Sequence, residues 1–161
     1  MTDVSHLCST NMGIEEDIKQ QQFRNPYQKG LINIIFTFNW LNERLRSILK
    51  REKITEQQFN ILRILRGAGK PISTLQIRQR MLDKASDTSR IVDRLVLKKL
   101  VKKETCTNDK RLVDVSITPE GLSLLESLDR YAHEMDALIG NLTPEEAQML
   151  NTLLDKIRKG K

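Results

Sequence analysis

The chain has 161 residues, 30% of them charged and 39% hydrophobic, and carries a net charge of +6 at pH 7. This length fits one domain with a sizeable buried core. No apolar run approaches the ~20 residues that span a membrane, and the first residues lack a secretory signal pattern. Two cysteines, Cys8 and Cys106, make no disulfide framework and no metal motif. We therefore expect a cytoplasmic protein without membrane attachment, cofactor or bound metal.

The positive charge is concentrated in the middle of the chain. Residues 63–111 hold fourteen Lys/Arg against five Asp/Glu, whereas residues 1–62 are close to neutral and residues 112–161 are acidic. A basic block of this kind is what neutralisation of DNA phosphates requires. The alternative is a solvated basic surface without a partner. The helix and hairpin predicted within the same block favour double-stranded DNA as the partner.

The first long helix is predicted to begin at Asn25–Pro26, because asparagine is a good N-cap and proline suits the first helical position. Residues 1–24 are polar and form an arm, either a short helix or partly disordered. The long helix extends to about Lys50 and is apolar on two sides. One stripe contains Leu31, Ile34, Phe38, Leu41, Leu45 and Ile48, and the other Ile32, Ile35, Phe36 and Trp40. Two apolar faces indicate that one of them packs on a partner subunit; a single large core around the helix is the alternative.

Two capping boxes follow, Thr55 to Gln58 and Ser73 to Gln76, and each predicts the start of a helix. The first helix ends near Gly67–Ala68–Gly69. Pro71–Ile72 is predicted to be a short extended piece, and the second helix continues to about Leu82. The free amides at its start and the hydroxyls of Ser73 and Thr74 suit a DNA phosphate.

A turn at residues 83–85 leads to a short amphipathic helix predicted to begin at Ser86. Its buried stripe is Ile91, Val92, Leu95 and Val96. Its polar side carries Ser86, Asp87, Ser89, Arg90, Asp93 and Arg94, and Thr88 is a further candidate DNA contact. Small polar residues in the first turn allow close approach, and the arginines can reach guanine edges or phosphates. We predict that this is the helix that contacts DNA bases.

A basic hairpin comes next, with strands at residues 100–104 and 112–117 and a polar turn that contains Asp109, Lys110 and Arg111. Alternation at Val113, Val115 and Ile117 predicts a half-buried strand. Asp109 and Arg111 can lie on one side, so that the carboxylate orients the guanidinium for a narrow minor groove. Lys110 is a candidate phosphate contact. A helix that feeds a charged two-stranded ribbon is the plan of a winged helix-turn-helix.

The remaining residues predict two further helices. Thr118–Pro119–Glu120 is a cap followed by an N1 proline, and an apolar series continues to Gly140. Thr143 to Glu146 is a third capping box, after which Ala147, Leu150, Leu153, Leu154 and Ile157 recur at helical spacing.

The hairpin carries a family resemblance. Asp109-x-Arg111-x-x-x-Val115-x-Ile117-Thr118, followed by Gly121, resembles the wing signature of the MarR family of bacterial transcription regulators, and Ile91 to Leu95 is similar to the family's recognition helix. The resemblance extends from about Tyr27 to the C-terminus. One departure is Lys99, which stands where the family often has glycine, so support for a left-handed helix cap is weaker there.

The resemblance implies a mainly α fold with a small β-hairpin wing (α+β). A winged helix-turn-helix lobe at 55–118 would join dimerisation helices at 25–54 and 119–161 in one domain, 25–161. It also implies a homodimer, usually a repressor, on a pseudo-palindromic operator, with half-sites about one helical turn apart. A small aromatic or phenolic effector would release it, with Phe36, Trp40, Phe59 and Met81 as candidate pocket walls.

Two other functions stay open from the sequence. The winged helix also serves as a protein-interaction module. Some members of the family oxidise a cysteine, and Cys106 beside Lys102 and Lys103 is the candidate for such a redox switch. The histidines are isolated and no nucleophile or phosphate-loop motif occurs, so an enzyme is not expected.

Overall fold

The computed structural model describes residues 13–105 and 113–159, which are mainly helical with one small antiparallel sheet. The helices are α1 (Ile14–Asp17), α2 (Pro26–Lys50), α3 (Glu56–Ala68), α4 (Thr74–Arg80), α5 (Thr88–Leu97), α6 (Pro119–Asp129), α7 (Ala132–Ala137) and α8 (Pro144–Arg158). The strands are β1 (Ile72–Ser73), β2 (Val101–Thr105) and β3 (Val113–Ile117). This confirms the predicted mainly α fold with a hairpin wing. Within the described ranges, no helix combines the length and apolarity needed to cross a membrane.

The chain divides into two compact units, residues 1–42 and 43–161. In the first unit, the predicted cap of α2 is present, because Asn25 Oδ1 accepts a hydrogen bond from the Gln28 amide at 2.9 Å. Lys29 on the first turn of α2 forms an ion pair with Glu15 of α1, and its ammonium lies 5.9 Å from the centre of the Phe23 ring. These contacts hold α1 against the start of α2.

The second unit contains the hydrophobic core. It is built around α3, whose Ile61, Leu62 and Leu65 are fully or almost fully buried. The other members come from every layer around α3: Leu49, Ile54, Ile72, Ile77, Met81, Val92, Leu95, Val101, Val115, Leu125 and Leu128. The inward stripes predicted for α3 and α5 are therefore confirmed, and they fix which side of α5 remains outside.

All three predicted capping boxes are present. Thr55, Ser73 and Thr143 each accept a hydrogen bond from the backbone amide three residues later, and the side chain of that third residue returns a bond to the cap. Each box satisfies two amides that a helix start otherwise leaves without partners. The signal is local, which is why the sequence predicted the starts of α3, α4 and α8 correctly.

The sheet has three strands, one more than the predicted hairpin. Its order is β1-β3-β2, and all pairs are antiparallel. Ile72 of the short β1 pairs with Val115, and Ser73 pairs with Asp114. The extended piece predicted at residues 71–72 thus corresponds to a strand at Ile72–Ser73, which forms because the folded chain brings the edge of β3 near it. This pairing attaches the start of α4 to the wing.

The end of α5 is closed by a left-handed residue, and that residue is Lys99, with φ +60°. The Leu100 amide donates to the carbonyl of Leu95 at 3.0 Å, and the Lys99 amide donates to Val96 at 2.8 Å. This is the Schellman arrangement that glycine usually completes. The cap that the sequence supported only weakly therefore forms, with a lysine in a conformation that strains a residue bearing a Cβ.

Replacing Lys99 by glycine should stabilise the protein. Relief of the left-handed strain exceeds the additional backbone entropy that glycine loses on folding, and we expect a gain of about 0.5–1 kcal/mol. Urea unfolding would measure it. Lys99→Ala is the matched control, since it removes the same charge and keeps the strain; an equal gain from alanine would show that charge, not conformation, is responsible.

The wing strands leave the core beside the start of α6, where the backbones approach closely. Thr118 caps α6: its Oγ1 accepts from the Gly121 amide at 3.1 Å and donates to the carbonyl of Lys99 at 2.8 Å. The Thr118 amide donates to the carbonyl of Leu100 at 3.1 Å. A Cβ on Gly121 would lie 2.2 Å from that same carbonyl oxygen. The threonine and glycine of the wing signature thus join α6 to the root of the wing.

The prediction of a single helix from residue 119 to 140 is wrong, because the helix is interrupted after Asp129 and resumes at Ala132. At the break, the Tyr131 amide donates a hydrogen bond to the carbonyl of Leu128 at 2.9 Å. This bond spans three residues and closes a tighter turn than that of an α-helix. The Tyr131 ring lies 5.0 Å from the guanidinium of Arg51, which also forms a 2.8 Å ion pair with Glu134 of α7. This pairing lowers the pKa of Glu134 and raises that of Arg51. The break coincides with these contacts to a residue distant in sequence.

Candidate nucleic-acid interface

The starts of α4 and α5 face each other across an open groove of about 440 Å³. Thr74, Leu75 and Arg78 line it from α4, and residues 85–89 line it from the loop and first turn of α5. Five of the predicted DNA-binding residues are brought together here: Thr74, Ser86, Asp87, Thr88 and Ser89. Hydroxyl side chains and the cation Arg78 line the groove, which suits a sugar-phosphate strand.

Asp83 organises the turn that separates α4 from α5. One carboxylate oxygen accepts from the Ala85 amide at 2.9 Å, and the other accepts from the Ser86 hydroxyl at 2.6 Å. These bonds hold residues 83–86 in a turn, so α5 begins at Thr88 with Asp87 as its N-cap rather than at Ser86 as predicted. They also lower the pKa of Asp83, with the Ser86 hydroxyl as the largest cause.

The lowered pKa of Asp83 predicts how the stability of this turn depends on pH. Because the folded-state pKa is below that of an unfolded aspartate, the stabilisation is present above the ordinary aspartate pKa and is lost as the pH falls through the lowered value. Ser86→Ala should raise the pKa of Asp83 toward its ordinary value, which carboxyl chemical shifts measured during an acid titration would show. An unchanged titration of Asp83 in that variant would contradict the assigned cause.

Helix α5 presents a polar face while its other side is buried. Val92 and Leu95 are fully buried, whereas Ser89, Arg90, Asp93 and Arg94 are exposed. Thr88 departs from the predicted set, because only 4% of it is exposed and its hydroxyl has no hydrogen-bond partner among the described residues. Its side chain lies at the inner wall of the groove instead of on the exposed face.

Two carboxylates on α5 are paired with cations. Asp87 accepts from the Arg90 amide at 3.2 Å, and its second oxygen lies 3.1 Å from Arg90 Nε. Asp93 forms an ion pair with Lys103 of β2 and so links α5 to the wing. Beyond it, Lys102 pairs with Glu104 at 2.6 Å. The exposed face therefore carries cations and carboxylates side by side, and the carboxylates fix the positions of individual cations.

Ser73 and Thr74 differ in availability. The Ser73 hydroxyl is engaged with Gln76, from whose amide it accepts at 3.2 Å, while Thr74 lines the groove. Arg78 and Leu75, also in the groove, were missed by sequence reasoning. Arg78 lies four residues after Thr74, so the spacing of neighbours on one helix face could have identified it.

Other predicted residues fall outside this groove. Asp109, Lys110 and Arg111 of the wing, and both Cys8 and Cys106, lie outside the described residues. Of the candidate pocket walls, Phe36 is half-buried and Trp40 is 37% exposed, and both belong to the first unit. Phe59 and Met81 belong to the second unit, where Phe59 packs against the core and Met81 is buried within it.

Comparison with known sequences decides the family. The MarR family model matches residues 53–112, which contain α3, α4, α5 and the first wing strand, β2. The multiple antibiotic resistance protein MarR of Salmonella typhimurium is 32% identical over 127 residues, covering 77% of this chain and 88% of that protein. The chain belongs to the MarR family.

Solved structures agree with the assignment. A mutant MarR from E. coli complexed with operator DNA superposes with a TM-score of 0.72 at 28% identity, over 77% of this chain and 89% of that one. BpsR of Bordetella bronchiseptica, whose DNA binding is regulated by 6-hydroxynicotinic acid, gives 0.68 at 25% identity, over 78% and 96%. The protein is a winged helix-turn-helix transcription regulator that binds DNA, similar to bacterial proteins, and not an enzyme.

Proposed function

We propose that this MarR family regulator is a homodimeric repressor that binds a pseudo-palindromic operator and is released by a small aromatic or phenolic ligand. The observation that carries the proposal is the exposed polar face of α5, with Arg90 and Arg94, beside the groove it shares with α4. A helix that exposes Ser89, Arg90 and Arg94 can enter a major groove while Thr74 and Arg78 approach the phosphates. Operator DNA in the cell would place the protein in the cytoplasm.

The dimer is supported by α8, which buries none of its residues. Met149 and Ile157 are 60% and 62% exposed, and Leu150 and Leu153 lie between them on the helix. A helix with a regular apolar stripe and no buried residue is expected to pack on a surface outside the single chain. A second copy of the chain would cover it.

Exposed apolar residues in the first part of α2 support the dimer independently. Leu31 and Phe38 are 60% and 61% exposed, and Ile34 and Ile35 are exposed as well. This agrees with the two apolar stripes predicted from the sequence. In the proposed dimer α2 and α8 each pack against the partner, in line with the assignment of residues 25–54 and 119–161 to dimerisation.

The ligand is proposed from the family, supported by the regulation of BpsR by 6-hydroxynicotinic acid. Trp40 is the exposed member of the four aromatic and methionine candidates, and Phe36 and Phe59 are half-buried, whereas Met81 would have to leave the core to touch a ligand. Phenolic acids and hydroxylated nicotinic acids are the first compounds to test for release of bound DNA.

Selection of bound sequences from random duplex DNA, followed by a salt titration on the winning sequence, would test the proposal. We expect an inverted repeat with half-sites about one helical turn apart. The logarithm of affinity should fall with the logarithm of salt concentration, with a slope near −0.9 for each phosphate contacted. Failure to enrich any sequence would overturn the proposal of operator binding and would favour a protein-interaction role for this fold.

The wing offers a separate check, because the family signature assigns Arg111 to the minor groove. Arg111→Ala should weaken binding most at sites with a narrow minor groove, where the potential is most negative. Lys110→Ala should weaken binding to all sequences alike, as expected for a phosphate contact. Equal effects of both variants on every site would contradict the assignment of Arg111.

A further inference from the structure

We infer that Asp87 is a positioning residue that presents the end of the Arg90 guanidinium to one guanine, so that Arg90 specifies a G·C pair while Arg94 contributes only charge. This rests on the proposed operator binding and goes further, because it names the base that is recognised and the pair of side chains that recognises it.

Asp87 uses its two oxygens differently. Oδ1 accepts from the Arg90 amide at 3.2 Å, which is the N-cap bond of α5, and Oδ2 lies 3.1 Å from Arg90 Nε. The first contact fixes the aspartate relative to the helix start, and the second fixes the arginine relative to the aspartate. Occupation of Nε leaves both terminal nitrogens of the guanidinium free.

The two free nitrogens match one base edge. Guanine presents O6 and N7 side by side in the major groove, and a guanidinium donates to both at once through two parallel N–H groups. The side chain of Arg90 is 81% exposed, so nothing among the described residues covers it. An exposed ion pair of this kind contributes little to stability, which leaves orientation of the guanidinium as its main effect.

Arg94 provides the contrast on the same helix. It lies one turn after Arg90, on the same exposed side, and within the described residues no carboxylate forms an ion pair with it. The neighbouring Asp93 is paired with Lys103 instead. A guanidinium without such a partner keeps its rotational freedom and acts as a mobile charge, which suits a phosphate more than a base edge.

The test uses the duplex recovered by random selection. Each G·C pair in a half-site is replaced in turn by A·T, and each guanine by 7-deazaguanine, which lacks the N7 acceptor. For the unaltered protein, these replacements at one guanine position should lower the affinity for the duplex by roughly 5- to 150-fold, the range of a bidentate base contact. Arg90→Ala should abolish the discrimination at that position alone.

Asp87→Asn isolates the positioning role. Asparagine is as good an N-cap as aspartate, but it carries no charge, and the amide nitrogen that replaces Oδ2 is a donor that cannot accept a bond from Arg90 Nε. We expect discrimination to fall at the same guanine position, binding to unrelated DNA to rise because a negative charge is removed, and the thermal midpoint to stay within a few degrees. The double variant Asp87→Asn/Arg90→Ala should discriminate no worse than Arg90→Ala. Asp87→Ser, also a good cap, should reproduce the result.

Arg94→Ala is the matched control, since it should weaken binding to every duplex alike and add to Asp87→Asn without coupling. Full discrimination in Asp87→Asn, or losses that simply add to those of Arg90→Ala, would overturn the inference. A loss at a cytosine that persists without Arg90 would also overturn it, by showing that Asp87 contacts a base itself. Absence of any selected sequence would instead refute the operator proposal.

Discussion

Gly121→Ala is expected to lower the free energy of unfolding by about 3 kcal/mol or more, which is above the usual effect of one added methyl group. The new Cβ would meet the carbonyl oxygen of Leu100 at 2.2 Å and the Ile117 side chain at 2.7 Å. A backbone oxygen cannot rotate away as a side chain can. The start of α6 must therefore move, and Thr118 then loses its bonds to Lys99 and Leu100.

Thermal unfolding would measure this effect as a fall of roughly 10 °C in the midpoint for a chain of this size. Gly67→Ala is the control in the same unit, because it lies on an exposed part of α3 and a Cβ there meets nothing within 4 Å. That variant should be neutral or slightly stabilised. A midpoint for Gly121→Ala within 2 °C of the unaltered protein would contradict the close approach described for the wing root.

The second large effect is expected from charges placed on the apolar stripe of α8. Leu150→Glu/Leu153→Glu should dissociate the proposed dimer at micromolar concentrations, because burial of an unpaired carboxylate costs several kcal/mol. A monomer holds only one half-site, and loss of the linked second site lowers operator affinity by about 10²- to 10⁴-fold. Sedimentation and operator binding, measured on the same preparations, would report both changes.

Gln148→Glu/Thr152→Glu is the control for this prediction, since it adds the same charge on the opposite side of α8. It should leave the sedimentation of the protein and its operator affinity close to normal. Unaltered sedimentation of the Leu150→Glu/Leu153→Glu variant would show that α8 does not form the subunit contact. Reduced affinity of both variants to the same extent would indicate repulsion of DNA by the added charge and not dissociation.

The parts of the fold that the sequence predicted are those with local causes. The capping boxes at Thr55, Ser73 and Thr143 need only residues three positions apart, and the core stripe of α5 needs only the helical period. The exposed polar face of α5 followed directly from that stripe. These short-range patterns were sufficient to predict where α5 exposes Arg90 and Arg94.

The parts that were missed depend on contacts between distant residues. Strand β1 exists because Ile72 meets Val115, and the interruption after α6 coincides with the contact of Tyr131 with Arg51. The left-handed Lys99 contradicts its own conformational preference and is held by neighbours on both sides. The role of Asp87 likewise depends on the direction of one side chain relative to another, which spacing alone does not specify.

The junction at residues 99–100 and 118–121 also bears on how DNA affinity can be regulated. A hinge needs a few residues whose backbone angles can change freely. At this junction the carbonyls and amides of α5, the wing root and α6 are already bonded to one another, and Gly121 leaves no space between them. We therefore expect that the junction does not act as a hinge and that α5 and the wing root move together. The proposed ligand would then weaken DNA binding by displacing α5 and the wing root together, and not by changing the angle between them.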